Sequence, residues 1–347
     1  MWVNFLSVGP QNGNECLKTL VVGAGSWGTA LAILLARNQV PTLLWARDSA
    51  QVAAMVHARH NDHYLPQVFF PPSLEPIADL EAALPQVTQV LVVVPSHSFR
   101  SVLERLAGHL PDGIPLSWAT KGLEPGTGRL LHEVVAEVLG PGWPMAVVSG
   151  PTFAQEVAAG LPTAVTIAAT QSVVAARLAS CLHGDNFRVY TSDDLIGVQL
   201  GGAVKNVLAI AAGIGDGLGF GANTRAALIT RGLAELMRFA LAYGAQRETL
   251  MGLSGLGDLV LTCTDDQSRN RRLGLALAQG KQLDEAQAFI GQAVEGITAA
   301  KVVVAKARQL NVEMPIAEQV YQVLYAGRSP RQAVEALCSR EQKPEYV

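Results

Sequence analysis

No two of the four cysteines stand close together: Cys16, Cys181, Cys263 and Cys338 form no C-x-x-C pair. That spacing argues against a zinc site and against a disulfide framework, and it fits reduced thiols in a cytoplasmic protein. A basic excess is missing as well. Lys and Arg number 26 against 29 Asp and Glu, a net charge of −3, so neither nucleic acid nor an anionic membrane surface is an expected partner. Uncharged stretches such as 157–176 are broken by glycine, proline and polar residues. None supplies the unbroken run of about 20 apolar residues that a membrane-spanning helix needs. The first 16 residues lack the basic and apolar regions of a signal peptide and read as a disordered extension or an upstream start.

What is present is an ordinary globular composition, 49% apolar and 16% charged, over 347 residues, a length comfortable for two domains. The most informative segment is Gly23-Ala24-Gly25-Ser26-Trp27-Gly28. It follows a short apolar run and opens a helical pattern of small residues, the context that turns a G-x-G-x-x-G into a dinucleotide-binding turn. Gly23 permits the tight bend, Gly25 lets a pyrophosphate approach the backbone, and Gly28 lets helix and strand pack closely.

Apolar runs at 18–22, 42–46, 90–94, 116–119, 145–149 and 164–168 alternate with helical patterns. This is the cadence of an α/β Rossmann-like doubly wound sheet. Beyond Ser192 the strand signal fades and helical stretches follow at 193–213, 224–243, 268–279, 298–310 and 316–325. The expected organisation is a dinucleotide-binding domain over 17–192 and an all-α domain over 193–347, with Thr191-Ser192-Asp193 signalling the first long helix. A substrate cleft between the two is the expected site. Apolar helical faces in the second half make a homodimer an open expectation.

An acidic residue about 20 positions after the glycines binds a ribose 2′-hydroxyl, whereas an arginine there accommodates a 2′-phosphate. The second strand ends in Arg47-Asp48 and offers both. Asp48 also fits as the N-cap of a helix beginning at Ser49. On that reading NADP(H) is favoured, with NAD(H) left open.

Only seven lysines occur, and Lys121 and Lys205 lie among apolar and small residues. Lys121 follows a strand at the carboxyl edge of the sheet, where ligands collect. Lys205 sits inside an aliphatic helix, where its ammonium needs a polar cleft and burial lowers its pKa. A lysine brought towards neutrality can exchange a proton with an alcohol or ketone. Snorkelling to a domain edge, or pairing with a buried acid, explains the same pattern equally well.

Ser268, Arg269 and Asn270, followed by Arg271 and Arg272, would set a hydroxyl, an amide and guanidinium groups at a helix start, suitable for a phosphate. A plain cap with a solvated basic face is the alternative. Asp258, in a glycine-rich stretch just upstream, could orient Lys205 or bind a substrate hydroxyl. His97 reads as a loop residue near the cofactor.

Taken in order, VVGAGSWGTALA from Val21, ATKGLE from Ala119, SGPTFAQEVA from Ser149, LGGAVKNVLAIAAGI from Leu200, GLSGLGDLVLTC from Gly252, SRN from Ser268 and VEG from Val294 resemble the bacterial glycerol-3-phosphate dehydrogenase family. The resemblance implies reversible, metal-free reduction of dihydroxyacetone phosphate to sn-glycerol 3-phosphate by NAD(P)H, supplying membrane phospholipids. It implies that Lys205 is the proton donor and acceptor. It makes Ser26, Trp27, Arg47, Lys121, Ala154, Arg269 and Glu295 cofactor contacts. Lys121, Gly150, Thr152, Lys205, Asp258, Ser268, Arg269 and Asn270 would line the substrate site. The adjacency of Lys205 and Asn206 argues against hydroxyacid dehydrogenases of similar build, in which these two residue types stand four apart.

Overall fold

The computed structural model describes residues 17–342, 344 and 345; the extension read in the first 16 residues lies outside them. Its strands are β1 (Thr19–Val22), β2 (Thr42–Trp45), β3 (His60–Asn61), β4 (Leu65–Phe69), β5 (Leu74–Ile77), β6 (Gln89–Val92), β7 (Leu116–Trp118), β8 (Met145–Ser149), β9 (Thr163–Ala169) and β10 (Phe187–Ser192). Eight form one sheet in the order β10-β9-β8-β7-β6-β1-β2-β5, and β3 and β4 pair separately as a hairpin. From β5 across to β8 every neighbour is parallel. Strand order switches sides at β1, which opens a crevice at its carboxyl end. β1, β2, β6, β7 and β8 are buried along their whole length, which is why they read as unbroken apolar runs.

The strands missing from the sequence cadence are those of the β3–β4 hairpin and the two at the edges of the sheet. β5 contains Glu75 and Pro76, and β10 exposes Arg188, Tyr190 and Thr191, so neither presents an apolar run. A second difference is direction: β9 runs antiparallel to β8, and β10 follows β9. Ser192 is therefore level with Ala168, and Ala168 with Val147 in the middle of β8. The helix Leu195–Gly217 consequently starts below the carboxyl edge and climbs past it. Its Val198 belongs to the cluster of Val147 and Trp118, and its Gly202 lies against Ser149 at the end of β8.

From Leu195 onward the described residues are helical or in connecting turns. The helix at 195 is capped by Asp194, one residue later than its sequence signal. One carboxylate oxygen accepts from Gly197 N at 2.7 Å and the other from Gln246 N at 2.8 Å. This helix has the length and apolar composition to cross a bilayer, but its residues Leu200 to Ile214 form the core of the helical half. Each interior glycine costs a helix about 1 kcal/mol relative to alanine, and the space left is used. A Cβ at Gly213 would lie 3.0 Å from Gly274 Cα, on the crossing helix Arg269–Ala278. Cys181 and Cys263 are buried thiols and Cys338 is exposed.

One buried carboxylate ties the outer helices to this core. Glu235 accepts from the backbone N–H groups of Ile316 at 2.7 Å and Ala317 at 3.2 Å. It thereby caps the helix Pro315–Tyr325, which has no cap of its own. Burial pushes its carboxyl up to about 7, against the pull of those two donors. The folded protein thus holds this proton more tightly than the unfolded chain. The group's contribution favours folding most below the ordinary value of 4.5 and is lost as pH rises through about 7. Glu235→Leu should leave both N–H groups buried without partners and cost about 2–4 kcal/mol. Thermal melting of both proteins across that pH range should show a large loss and a flatter pH dependence in the variant.

Candidate active site

The dinucleotide turn follows β1 and opens the helix Ser26–Arg37, with Ser26 and Trp27 in its first turn. Gly23 has φ +117°, and a Cβ there would come within 2.9 Å of the Val93 carbonyl carbon. A Cβ at Gly28 would lie 3.1 Å from the carbonyl carbon of Gly23. Among the described residues nothing comes within 4 Å of a Cβ at Gly25 and no side chain caps the helix, which leaves its first N–H groups to an anion. These residues fit the pyrophosphate of a dinucleotide. The turn is held from outside by the β3–β4 region. Asn61 Nδ2 donates to Ala24 O at 2.9 Å and to Thr29 Oγ1 at 2.8 Å, and Ser26 Oγ donates to Tyr64 O at 2.9 Å. Nothing in the short, polar hairpin sequence signalled this clamp.

Asp48 is the N-cap of the helix Ser49–Ala58, accepting from Ala50 N at 2.9 Å. Arg47 beside it is exposed just past β2. Asp48 thus takes the capping role that its sequence position also allowed.

Asp258 is fully buried and bridges both of the lysines singled out above. Its Oδ1 accepts from Lys205 Nζ in a short ion pair, and its Oδ2 accepts from Lys121 Nζ at 2.6 Å. Lys121 also donates to Gly150 O at 3.1 Å, the carbonyl to which Thr152 Oγ1 donates at 3.3 Å. Lys205 Nζ donates to Thr262 Oγ1 at 2.8 Å. Burial drives the Lys205 amine down from 10.5 to about 7, opposed by the Asp258 carboxylate and reinforced by Lys121. Pairing with a buried acid, one of the two structural alternatives, is therefore realised, and the acid is the one expected to orient this lysine. Asp258 is delivered by a single π-helical turn, Leu253–Gly257, leading into the helix Asp258–Thr264; such turns recur at functional sites. Thr262 was missed, although it lies one turn after Asp258 on the same face.

Ser268 caps the helix Arg269–Ala278, accepting from Arg271 N at 3.2 Å. Arg269 is exposed near Gln292, its Nη1 3.5 Å from Oε1. Asn270 is buried: its Nδ2 donates to Asn206 Oδ1 at 2.9 Å and its Oδ1 accepts from Gly296 N at 2.9 Å. Arg271 departs from the expectation of a basic rim. It is buried and paired with Asp216 at 2.6 Å and with Asp266, because Asp216 on the core helix captures it. Asn206 locks Asn270, a role its sequence position beside Lys205 did not reveal.

Glu295 accepts from Ser96 Oγ at 3.1 Å, a contact between the sheet half and the helical half, and burial raises its carboxyl. His97 lies not in a loop but in the first turn of the helix Ser96–Ala107, exposed. The helix begins at Ser96 directly after Pro95, with no room for a longer loop. Ala154 opens the short helix Ala154–Ala159 beyond β8 and packs partly on the sheet core.

A buried amine poised to hold or release a proton, in a chain whose parallel sheet carries a dinucleotide turn after β1, is the arrangement of a nicotinamide-dependent oxidoreductase acting on an alcohol or ketone. Residues 18–175 match the N-terminal model of NAD-dependent glycerol-3-phosphate dehydrogenase, and residues 194–335 match its C-terminal model. The chain is 81% identical over 342 residues to a Nitrosococcus oceani protein named glycerol-3-phosphate dehydrogenase [NAD(P)+], covering 99% of each. It is 63% identical over 326 residues to a protein of the same name from Thioalkalivibrio sulfidiphilus, covering 94% of this chain and 98% of that one. The crystal structure of glycerol-3-phosphate dehydrogenase from Coxiella burnetii superposes with a TM-score of 0.91 at 51% identity, covering 93% of this chain and 99% of that one. The chain belongs to the NAD-dependent glycerol-3-phosphate dehydrogenase family.

Proposed function

We propose that this chain, an NAD(P)-dependent glycerol-3-phosphate dehydrogenase, reversibly reduces dihydroxyacetone phosphate to sn-glycerol 3-phosphate with Lys205 as proton donor and acceptor. The observation that carries the reading is the single buried carboxylate of Asp258 joining Lys205 to Lys121. When bound, the nicotinamide supplies the hydride that reaches C2. Lys205 gives its proton to the C2 oxygen as charge grows there, and takes one back in the reverse direction. Asp258 and Thr262 hold the amine from behind, and its value of about 7 lets it serve both directions near neutrality.

Lys121, Gly150 and Thr152 would border the substrate on the sheet side, with Ser268, Arg269 and Asn270 taking the phosphate. Binding energy from that remote group then positions C2. Gly23, Gly25, Ser26, Trp27, Gly28, Arg47, Ala154 and Glu295, with Lys121 and Arg269, would hold the dinucleotide. The division between cofactor and substrate domains falls at 192, a placement supported by the end of β10 at Ser192. We place the reaction in the cytoplasm, with its product feeding phospholipid synthesis. Exposed Phe220, Leu241, Met251 and Val260 on the helical half support a homodimer.

Oxidation of NADPH and NADH, followed by absorbance with dihydroxyacetone phosphate and with methylmalonate semialdehyde, tests this. Turnover with the phosphate ketone alone is expected, and its absence would overturn the reading. With Asp48 committed to its cap, Arg47 is the group left for a 2′-phosphate. Arg47→Ala should lower kcat/KM for NADPH about 10- to 100-fold, the worth of a charge-assisted hydrogen bond, and leave NADH little changed.

A further inference from the structure

Two successive positions of the core helix, Gly201 and Gly202, have no side chain, and a different part of the site closes on each. Gly201 lies one turn before Lys205 on the same face. The π-helical turn rests on it: a Cβ there would lie 2.8 Å from the Ser254 carbonyl carbon and 3.2 Å from Gly255 N. Ser254 stands one turn before Asp258, so the Gly201–Ser254 approach and the Lys205–Asp258 pair are successive rungs between the same two segments. The turn itself has no slack, since a Cβ at Gly255 would lie 2.5 Å from Leu250 Cα. On the other side, a Cβ at Gly202 would lie 3.0 Å from Ser149 Oγ and 3.4 and 3.5 Å from Cγ and Cδ of Lys121. The Lys121 stem thus crosses Gly202 on its way to Asp258.

The geometry points to Gly201 and Gly202 as positioning residues that bring Asp258 and Lys121 onto Lys205 from two directions. The inference rests on the proposed role of Lys205. Around that amine the facing charged or titratable groups are Asp258, Lys121 and the buried Cys263 thiol.

Gly201→Ala moves backbone, so Asp258 is pushed away while Lys205 stays buried. Its amine then loses the proton more readily. The alkaline fall in the rate of ketone reduction should move about one unit to lower pH, and kcat should drop about 10- to 100-fold. Gly202→Ala meets only side-chain atoms, which can give way. It should raise KM for dihydroxyacetone phosphate about tenfold through the displaced Lys121 and, with that cation moved off Lys205, shift the alkaline limb in the opposite direction, to higher pH. A purely structural role would lower the melting temperature and move neither readout. Lys205→Met in the same assays separates the two ideas. If it keeps its rate, the proposed proton donor is wrong. If it is inactive while both glycine variants keep the wild-type pH limb and KM, the positioning role is wrong. Should Gly201→Ala not fold, a wild-type KM in Gly202→Ala overturns the inference alone.

Discussion

Exchanging Lys205 for methionine, which keeps the stem and removes the amine, should lower kcat at least about 100-fold, the usual share of a positioned proton donor. Cofactor binding should change little, because Lys205 lies with Asp258 and Thr262 and not beside the glycine turn. The pH dependence gives the sharper reading. With an amine value of about 7, ketone reduction needs the ammonium form and falls as pH rises through that value, whereas alcohol oxidation needs the free amine and rises. Both limbs should vanish in the variant. Stability should move in a matching sense. The folded protein binds fewer protons than the unfolded chain between about 7 and 10.5, so wild-type stability rises with pH across that window, and the methionine variant lacks the slope. Steady-state rates above about a tenth of wild type would contradict a proton-transfer role.

Asp258→Asn is expected to be nearly as damaging, for a different reason. Asparagine keeps the volume and one acceptor but removes the charge shared by two lysines. Lys205 is then buried beside another cation, and its amine falls further below about 7. A neighbouring charge is worth about 1–3 units, so the ammonium form at pH 8, and with it ketone reduction, should drop about 10- to 1000-fold. Rate should return as the assay is made more acidic. A loss equal at every pH would mean that Asp258 acts by touching substrate and not through the amine. Breaking a buried ion pair should also cost about 3–5 kcal/mol in unfolding experiments.

The sheet centre and the lysines were legible because burial on both faces writes itself as unbroken apolar runs, and because a charge inside such a run has to be explained. Gly23 to Gly28 declared a turn through its spacing together with the apolar run before it and the helical pattern after it. What stayed hidden has physical reasons of its own. β5 and β10 are edge strands whose sequences mix polar residues and proline. The reversal of β9 depends on pairing, which local sequence does not encode. Lys205 could be singled out but not assigned between a proton-exchanging lysine and a salt-bridged one, since the deciding partner lies 53 residues away. Arg271 looked like Arg269 in sequence, and only the position of Asp216 on the core helix separates a buried structural arginine from an exposed one.

The climb of the Leu195–Gly217 helix from the middle of β8 to beyond its end makes the helix a ruler. Val198 fixes its zero against the sheet, and Lys205 is read off two turns later. A single residue inserted between them would turn the lysine about 100° and carry it about 1.5 Å onward, out of line with Asp258. Connecting turns away from the site can lengthen or shorten across generations without touching the chemistry, but this stretch of seven steps must be inherited whole.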